Sequence, residues 1–165
     1  MLIAAGDLEN HGGNLVANQH FENWGKPGDT VMTKNFTVPR TGSYEIQAEF
    51  ANGAGPVNTG ITCAVKKLEL RKMGSAEVLA TGYLIMPQSG DWQRWDLSSP
   101  IVAQLSADAR YRISICEDDA ARNMSCLKNN ERYTAWPGGG ETNYNYVNIA
   151  ALHLTRVADD SFHFH

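Results

Sequence analysis

Apolar and polar positions alternate through much of the chain, the signature of strands with one buried face. In SYEIQAEF, residues 43–50, Tyr44, Ile46, Ala48 and Phe50 alternate with polar partners, which predicts a half-buried strand. TVMTKNFTVP before it mixes β-branched and aromatic residues up to Pro39, and Arg40, Thr41 and Gly42 supply the intervening turn. ITCAVKKLELR puts Ile61, Cys63 and Val65 on one face until Lys66 and Lys67 interrupt the phase ahead of Leu68 and Leu70, so a bulge or register change is expected there. EVLATGYLIM reads as a strand, GDWQRWDLS as a short one, ARYRISIC alternates through Tyr111, Ile113 and Ile115, and YVNIAALHLTRV closes the set. NGAGPVNTG is a loop by its glycines, proline and asparagines. Seven or eight short strands with turn signals between them and almost no helix predict an all-β fold, an antiparallel β-sandwich or jelly roll.

Length and charge narrow the picture. A chain of 165 residues supports one good core and is short for two, so residues 1–165 read as a single domain, with residues 158–165 (ADDSFHFH) as a frayed tail. Acidic side chains outnumber basic ones by 18 to 14, for a net charge of -4, and neither sign forms a long run. Nothing steers the molecule toward phosphate backbones or anionic lipid, so no nucleic-acid and no membrane partner is expected. No stretch approaches the ~20 apolar residues of a spanning helix. MLIAAGDLEN lacks the basic leader and full apolar stretch of a signal peptide, so a secreted form would have shed its signal. Cysteine usage leans toward an oxidising compartment. Cys116 and Cys126 flank CEDDAARNMSC and either close that loop as a disulfide or remain apart, since spacing does not show whether their Cβ atoms come within ~4 Å. Cys63 would be left single, and the lack of any C-x-x-C pair argues against structural zinc.

Three stretches carry a family resemblance. VPRTGSYEIQAEFANGAG runs from a proline-glycine turn into a strand of the type Tyr-x-Ile that ends in an aromatic residue, Ala, Asn and Gly. SGDWQRWDLSSPIVAQLSADARYRISI places a tryptophan-bearing strand before a short apolar segment, a turn and another strand, and VNIAALHL opens on Asn and Ile. Over roughly residues 28 to 156 the chain resembles the β-sandwich carbohydrate-binding modules of families 6 and 35. The resemblance implies a galactose-binding-like sandwich acting as a non-catalytic module of a larger extracellular polysaccharide-degrading protein. Its partners would be a polysaccharide or oligosaccharide and a catalytic domain in the parent chain, and it would be secreted or held at a cell surface. The family opens on a Glu-Ala-Glu-like segment whose carboxylates help hold a structural calcium. Here that segment is GDLEN, and Ala150 stands where the family commonly has an aspartate. Asp7 and Glu9 are therefore either calcium ligands, since hard cations take carboxylate and carbonyl oxygens, or solvated loop carboxylates.

A pyranose offers an apolar C–H face and a rim of hydroxyls, so binding one calls for a flat aromatic and fixed polar groups beside it. ERYTAWPGGGETNYNYVNIAALHL, residues 131–154, holds both. In the resembling modules the cleft lies at the loop end of the sandwich, with an aromatic from the loop before the last strand and the asparagine that opens that strand. By position these are Trp136 and Asn148. Tyr133, Asn143, Tyr144 and Asn145 share the loop, Trp24 in FENWGKPGD occupies a first loop facing it, and Asn52 and Asn58 border the same end. Each has a structural alternative: Trp136 and Trp24 either stand open as platforms or cap the core, and Asn148 either meets ligand or ties its own loop. Trp92 and Trp95, inside an apparent strand, read as core or sheet-packing residues.

No catalytic constellation emerges. Glu117, Asp118 and Asp119 are adjacent carboxylates on a polar loop, and adjacent carboxylates there are usually solvated and not an acid–base pair. His163 and His165 in the tail are a weak metal signal, and no serine has nucleophile-elbow surroundings. Asn35 and Asn123 open glycan-acceptor sequons of a kind that arises often by chance. Two function classes remain ahead of a small β-sandwich enzyme. One is the carbohydrate-binding module, and the other is a structural or protein-contact sandwich accessory to a glycoside hydrolase or lyase, with no glycan ligand.

Overall fold

The computed structural model describes residues 1–26, 28–53, 63–116 and 146–157. Among them the chain forms twelve strands and one 3-10 turn at Ala5–Asp7. The strands are β1 (Leu2–Ala4), β2 (Leu8–His11), β3 (Asn14–Val16), β4 (His20–Glu22), β5 (Thr30–Thr33), β6 (Gly42–Ala51), β7 (Cys63–Lys72), β8 (Val78–Pro87), β9 (Asp96–Leu97), β10 (Ile101–Leu105), β11 (Tyr111–Cys116) and β12 (Asn148–Arg156). Every pairing is antiparallel. One sheet runs in the order β10-β6-β12-β4-β3, with β1 added beside β12 and β9 beside β6; the other runs β2-β5-β11-β7-β8. No helix of the described residues is long and apolar enough to cross a membrane.

The period-2 pattern builds the core between the sheets. Tyr44, Ile46, Ala48 and Phe50 of β6 are all buried, as are Tyr111, Ile113 and Ile115 of β11, because alternate side chains of a strand share a face. Ile149, Leu152 and Leu154 of β12 join the inner layer, and Leu68, Leu70, Leu84 and Met86 line it from β7 and β8. Each of the Ile, Leu, Phe and Met side chains contributes roughly 1.5–3 kcal/mol on leaving water. The Tyr44 hydroxyl reaches the Arg40 carbonyl, so the one polar tip in that row is satisfied.

Three local departures from the sequence pattern have physical causes. The phase of β7 does not break at Lys66 and Lys67. Ala64, Lys66, Leu68 and Leu70 form one continuous buried row, and the irregularity falls later, between Leu70 and Arg71 against β8. Lys66 is tolerated there because its ammonium donates to the Gly25 carbonyl at 2.6 Å and stands 5.8 Å from the Trp24 ring centroid, which offsets the cost of burying a charge. In GDWQRWDLS only Asp96 and Leu97 are strand, while Trp92 sits in a turn. The N-terminal segment, for which the sequence pattern names no strand, supplies β1 to β4, whose strands of three or four residues are too short to show a period. A register shift between Ile149 and Ala151 leaves Ala150 as the extra residue of β12, which lets Ile149, Leu152 and Leu154 all face inward.

Candidate functional site

The ends of β6 and β12, the turn after β8 and the turn before β5 meet at one end of the sandwich. The junction is stitched by buried asparagines. Asn52, following β6, donates its side-chain amide to the Met86 carbonyl at 3.0 Å, and its backbone N–H meets Ser89 Oγ at 2.9 Å. The Ser89 N–H returns a bond to the Asn52 carbonyl at 2.8 Å. Asn148, opening β12 opposite Ala51, donates Nδ2 to the Trp92 carbonyl at 2.8 Å. Segment 86–92 is thereby tied to the first sheet at both asparagines. Gly90 takes φ of 100° within it, a conformation open to glycine at no steric cost.

This clasp sets the position of Trp92. Its indole lies directly against Gly53, where a Cβ would stand 2.7 Å from Cδ1 and 2.8 Å from Cγ and Nε1. The ring is half-buried, so part of it remains in solvent. Trp95, three residues on, is also half-buried and tilts against His20 of β4, with ring centroids 5.2 Å apart and planes at 59°. His20 in turn bonds Glu22 at 2.9 Å, and on the same sheet His153 bonds Glu49 at 2.7 Å. Of the two readings of these tryptophans as core or sheet-packing residues, the second describes Trp95, which packs on His20 of β4, while Trp92 is carried on a turn and lies against Gly53.

Trp24 departs from expectation in the opposite direction. It is fully enclosed at 0% exposure, so its indole is not open to solvent at a cleft. Lys66 lies over its ring, Gly13 lies close against its Cβ, and its carbonyl accepts the Val147 N–H at 3.0 Å. The next peptide is held from both sides, as Asp29 Oδ2 accepts the Gly25 N–H at 3.0 Å and Lys66 serves the Gly25 carbonyl. Trp24 therefore plugs the end of the core beneath the loops. Asn148 is buried at 4% with its amide nitrogen committed to Trp92, which makes it a structural clasp. Tyr133, Trp136, Asn143, Tyr144 and Asn145 lie outside the described residues, as do Asn58, Cys126, the Glu117–Asp119 carboxylates and the two tail histidines.

Asp7 sits on the 3-10 turn and Glu9 on β2, both exposed. Among the described residues no three His, Cys, Asp or Glu side chains gather as metal ligands. Two shallow concavities lie at the other end of the sandwich, one around Lys72, Ser106 and Arg110 and one around Leu2, Asn35 and Phe36. The first has no aromatic side chain. Sequence reasoning put Trp92 in a strand, although the turn-forming run Ser89-Gly90-Asp91 just before it was a signal of a turn there.

The sequence matches no family model and no curated protein. Solved structures with similar folds are numerous. One is the Paenibacillus sp. cycloisomaltooligosaccharide glucanotransferase complexed with cycloisomaltoheptaose, at a TM-score of 0.58 and 16% identity over 94% of this chain; the chain spans 18% of that protein's length. A family 35 carbohydrate-binding module from Clostridium thermocellum matches at a TM-score of 0.56 and 16% identity, covering 95% of this chain and 98% of that one. The carbohydrate-binding module of Cellvibrio mixtus lichenase 5A in complex with cellotriose matches at 0.51 and 17%, covering 96% and 98%. At such identities the likeness is one of fold: an antiparallel β-sandwich of the kind found in carbohydrate-binding modules.

Proposed function

We propose, from a fold shared with carbohydrate-binding modules, that this chain is a non-catalytic glycan-binding module that holds a sugar at the loop end of its sandwich. The observation that carries the reading is the half-buried indole of Trp92, braced on Gly53 and clasped through its carbonyl by Asn148. A flat aromatic held by buried partners loses little freedom when a sugar face packs on it, which is where affinity is gained. Tyr133, Trp136, Asn143, Tyr144 and Asn145, which precede β12 in the sequence, are the further aromatic and amide candidates for the site. Binding is shallow and carried by a few residues. The module belongs to an extracellular polysaccharide-degrading protein and concentrates a catalytic domain of the same parent chain on its substrate.

The test is a polysaccharide and glycan array, with and without calcium, run on the wild type, Trp92→Ala and Trp136→Ala. Binding that is lost in the variants while their melting curves stay close to wild type supports the site. Equal binding by all three removes the assignment. A second reading, a protein-contact sandwich without a glycan ligand, is favoured by the apolar side chains exposed on the other strands, Ile85 at 44%, Leu97 at 43% and Val102 at 59%. Silence of the folded wild type across a broad array selects it.

A further inference from the structure

The outer face of the sheet formed by β2, β5, β11, β7 and β8 carries an arginine without a partner. Arg112 of β11 stands between Tyr111 and Ile113, both buried in the core, so its own side chain points outward. Arg71 of β7 is its direct cross-strand neighbour and follows the buried Leu70, which turns it to the same face. The Cβ atoms of such partners lie ~4.5–5.5 Å apart, and like charges placed there oppose each other. Arg71 has a counter-charge, since it bonds Glu69 Oε2 at 3.0 Å and the Ala76 carbonyl at 3.3 Å. That carboxylate is already shared, because its other oxygen lies 3.4 Å from Lys67 Nζ. On the far side of β11 the ladder with β5 stops where Thr33 Oγ1 accepts the Ile113 N–H, and pairing resumes between Phe36 and Tyr111. Lys34 and Asn35 therefore stand opposite Arg112 in the register and bring a further cation and no carboxylate. Arg112 forms no side-chain hydrogen bond or ion pair among the described residues. Its Nε is closed off from solvent, while the side chain as a whole is half-buried and keeps its outer part in water.

A buried donor without a partner carries a desolvation cost, and a guanidinium partly stripped of water attracts an anion more strongly than a fully solvated one. We propose that Arg112, with Arg71 beside it, forms an oxyanion site on this sheet face that takes the tetrahedral group of phosphate or sulfate. A carboxylate offers two oxygens, enough for one guanidinium fork; a tetrahedral dianion can face Arg112 with two and still present another to Arg71. The overall charge of -4 does not prevent this contact, because at physiological salt repulsion from distant carboxylates fades beyond ~8 Å. The site lies on a sheet face and not at the loop end, so it stands apart from the glycan-binding reading.

The test is calorimetric titration and thermal melting of the wild type, Arg112→Gln, Arg112→Lys and Arg71→Gln with sodium sulfate, sodium phosphate and glycerol phosphate, each against sodium chloride at equal ionic strength. The wild type should bind phosphate or sulfate in a single saturable step with a Kd on the order of 1 mM or lower. Arg112→Gln should weaken binding at least ~10-fold, Arg71→Gln by less, and Arg112→Lys should recover only part, because an ammonium lacks the fork. In chloride Arg112→Gln should melt no lower than the wild type, since it removes an unpaired donor and a charge facing Arg71; in saturating phosphate the order should reverse. Uptake of the inorganic ions alone marks a site for the free ion, and equal uptake of glycerol phosphate marks one for an oxyanion borne on a larger molecule. A folded wild type without saturable uptake, or an affinity unchanged in Arg112→Gln, overturns the proposal. So does a stabilisation that climbs equally in both proteins without saturating, as salts excluded from the protein surface produce.

Discussion

Replacing Gly53 with alanine isolates the placement of Trp92 from the stability of the sandwich. The new Cβ would stand 2.7–2.8 Å from three indole atoms, against an optimal carbon contact of ~3.5–4.0 Å, so the ring must retreat by roughly 1 Å. Gly53 is not in the left-handed region, so alanine brings steric conflict and no backbone strain. In a closed core such overpacking costs about 1–3 kcal/mol. Trp92 is half-buried and can yield toward solvent, and alanine also lowers the entropy of the unfolded chain, which stabilises by about 0.4–1 kcal/mol. The two effects nearly cancel, and global stability should change by less than about 1 kcal/mol. Affinity should not be spared: displacing the platform should weaken glycan binding at least ~10-fold, or ~1.4 kcal/mol. Urea unfolding followed by tryptophan emission reads the first quantity, and titration calorimetry on the polysaccharide identified by the array reads the second. Wild-type affinity in Gly53→Ala would refute the bracing of Trp92 as the basis of the site. A stability loss large enough to account for lost binding would refute the separation of site from core.

The clasp and the plug make different demands. Asn148→Ala removes the donor to the Trp92 carbonyl and should destabilise by about 1–3 kcal/mol, with a shift in tryptophan emission; unchanged urea midpoint and emission would show that the bond does not hold the turn. Trp24→Ala empties a fully buried site beneath the loops and should cost ~3–5 kcal/mol, read as a large fall in melting temperature. A melting temperature near wild type would mean that Trp24 is not part of the core.

Much of the sandwich is legible along the chain because period-2 alternation is a one-dimensional trace of a two-faced sheet. The inward rows of β6 and β11 follow directly from it. The alternation misleads where a polar residue sits on the buried face, as Lys66 does, since its partners, Gly25 and Trp24, lie some forty residues away in sequence. It is silent for β1 to β4, which are too short to show a period; β1 and β4 pair with β12, β2 with β5, and β3 with β4. The candidate site divides along the same line. Asn148 was visible as the residue opening the last strand, but its role as a clasp depends on a carbonyl at Trp92 that only folding brings within reach.

Local composition, through strand alternation and turn residues, determined that the protein would be an antiparallel sandwich with aromatics and amides gathered near the start of β12. The tertiary structure alone decided which tryptophan is enclosed and which remains partly in solvent. A side chain's exposure is set by what packs across from it, and for Trp24 and Trp92 those neighbours, Lys66 and Gly53, come from distant parts of the chain.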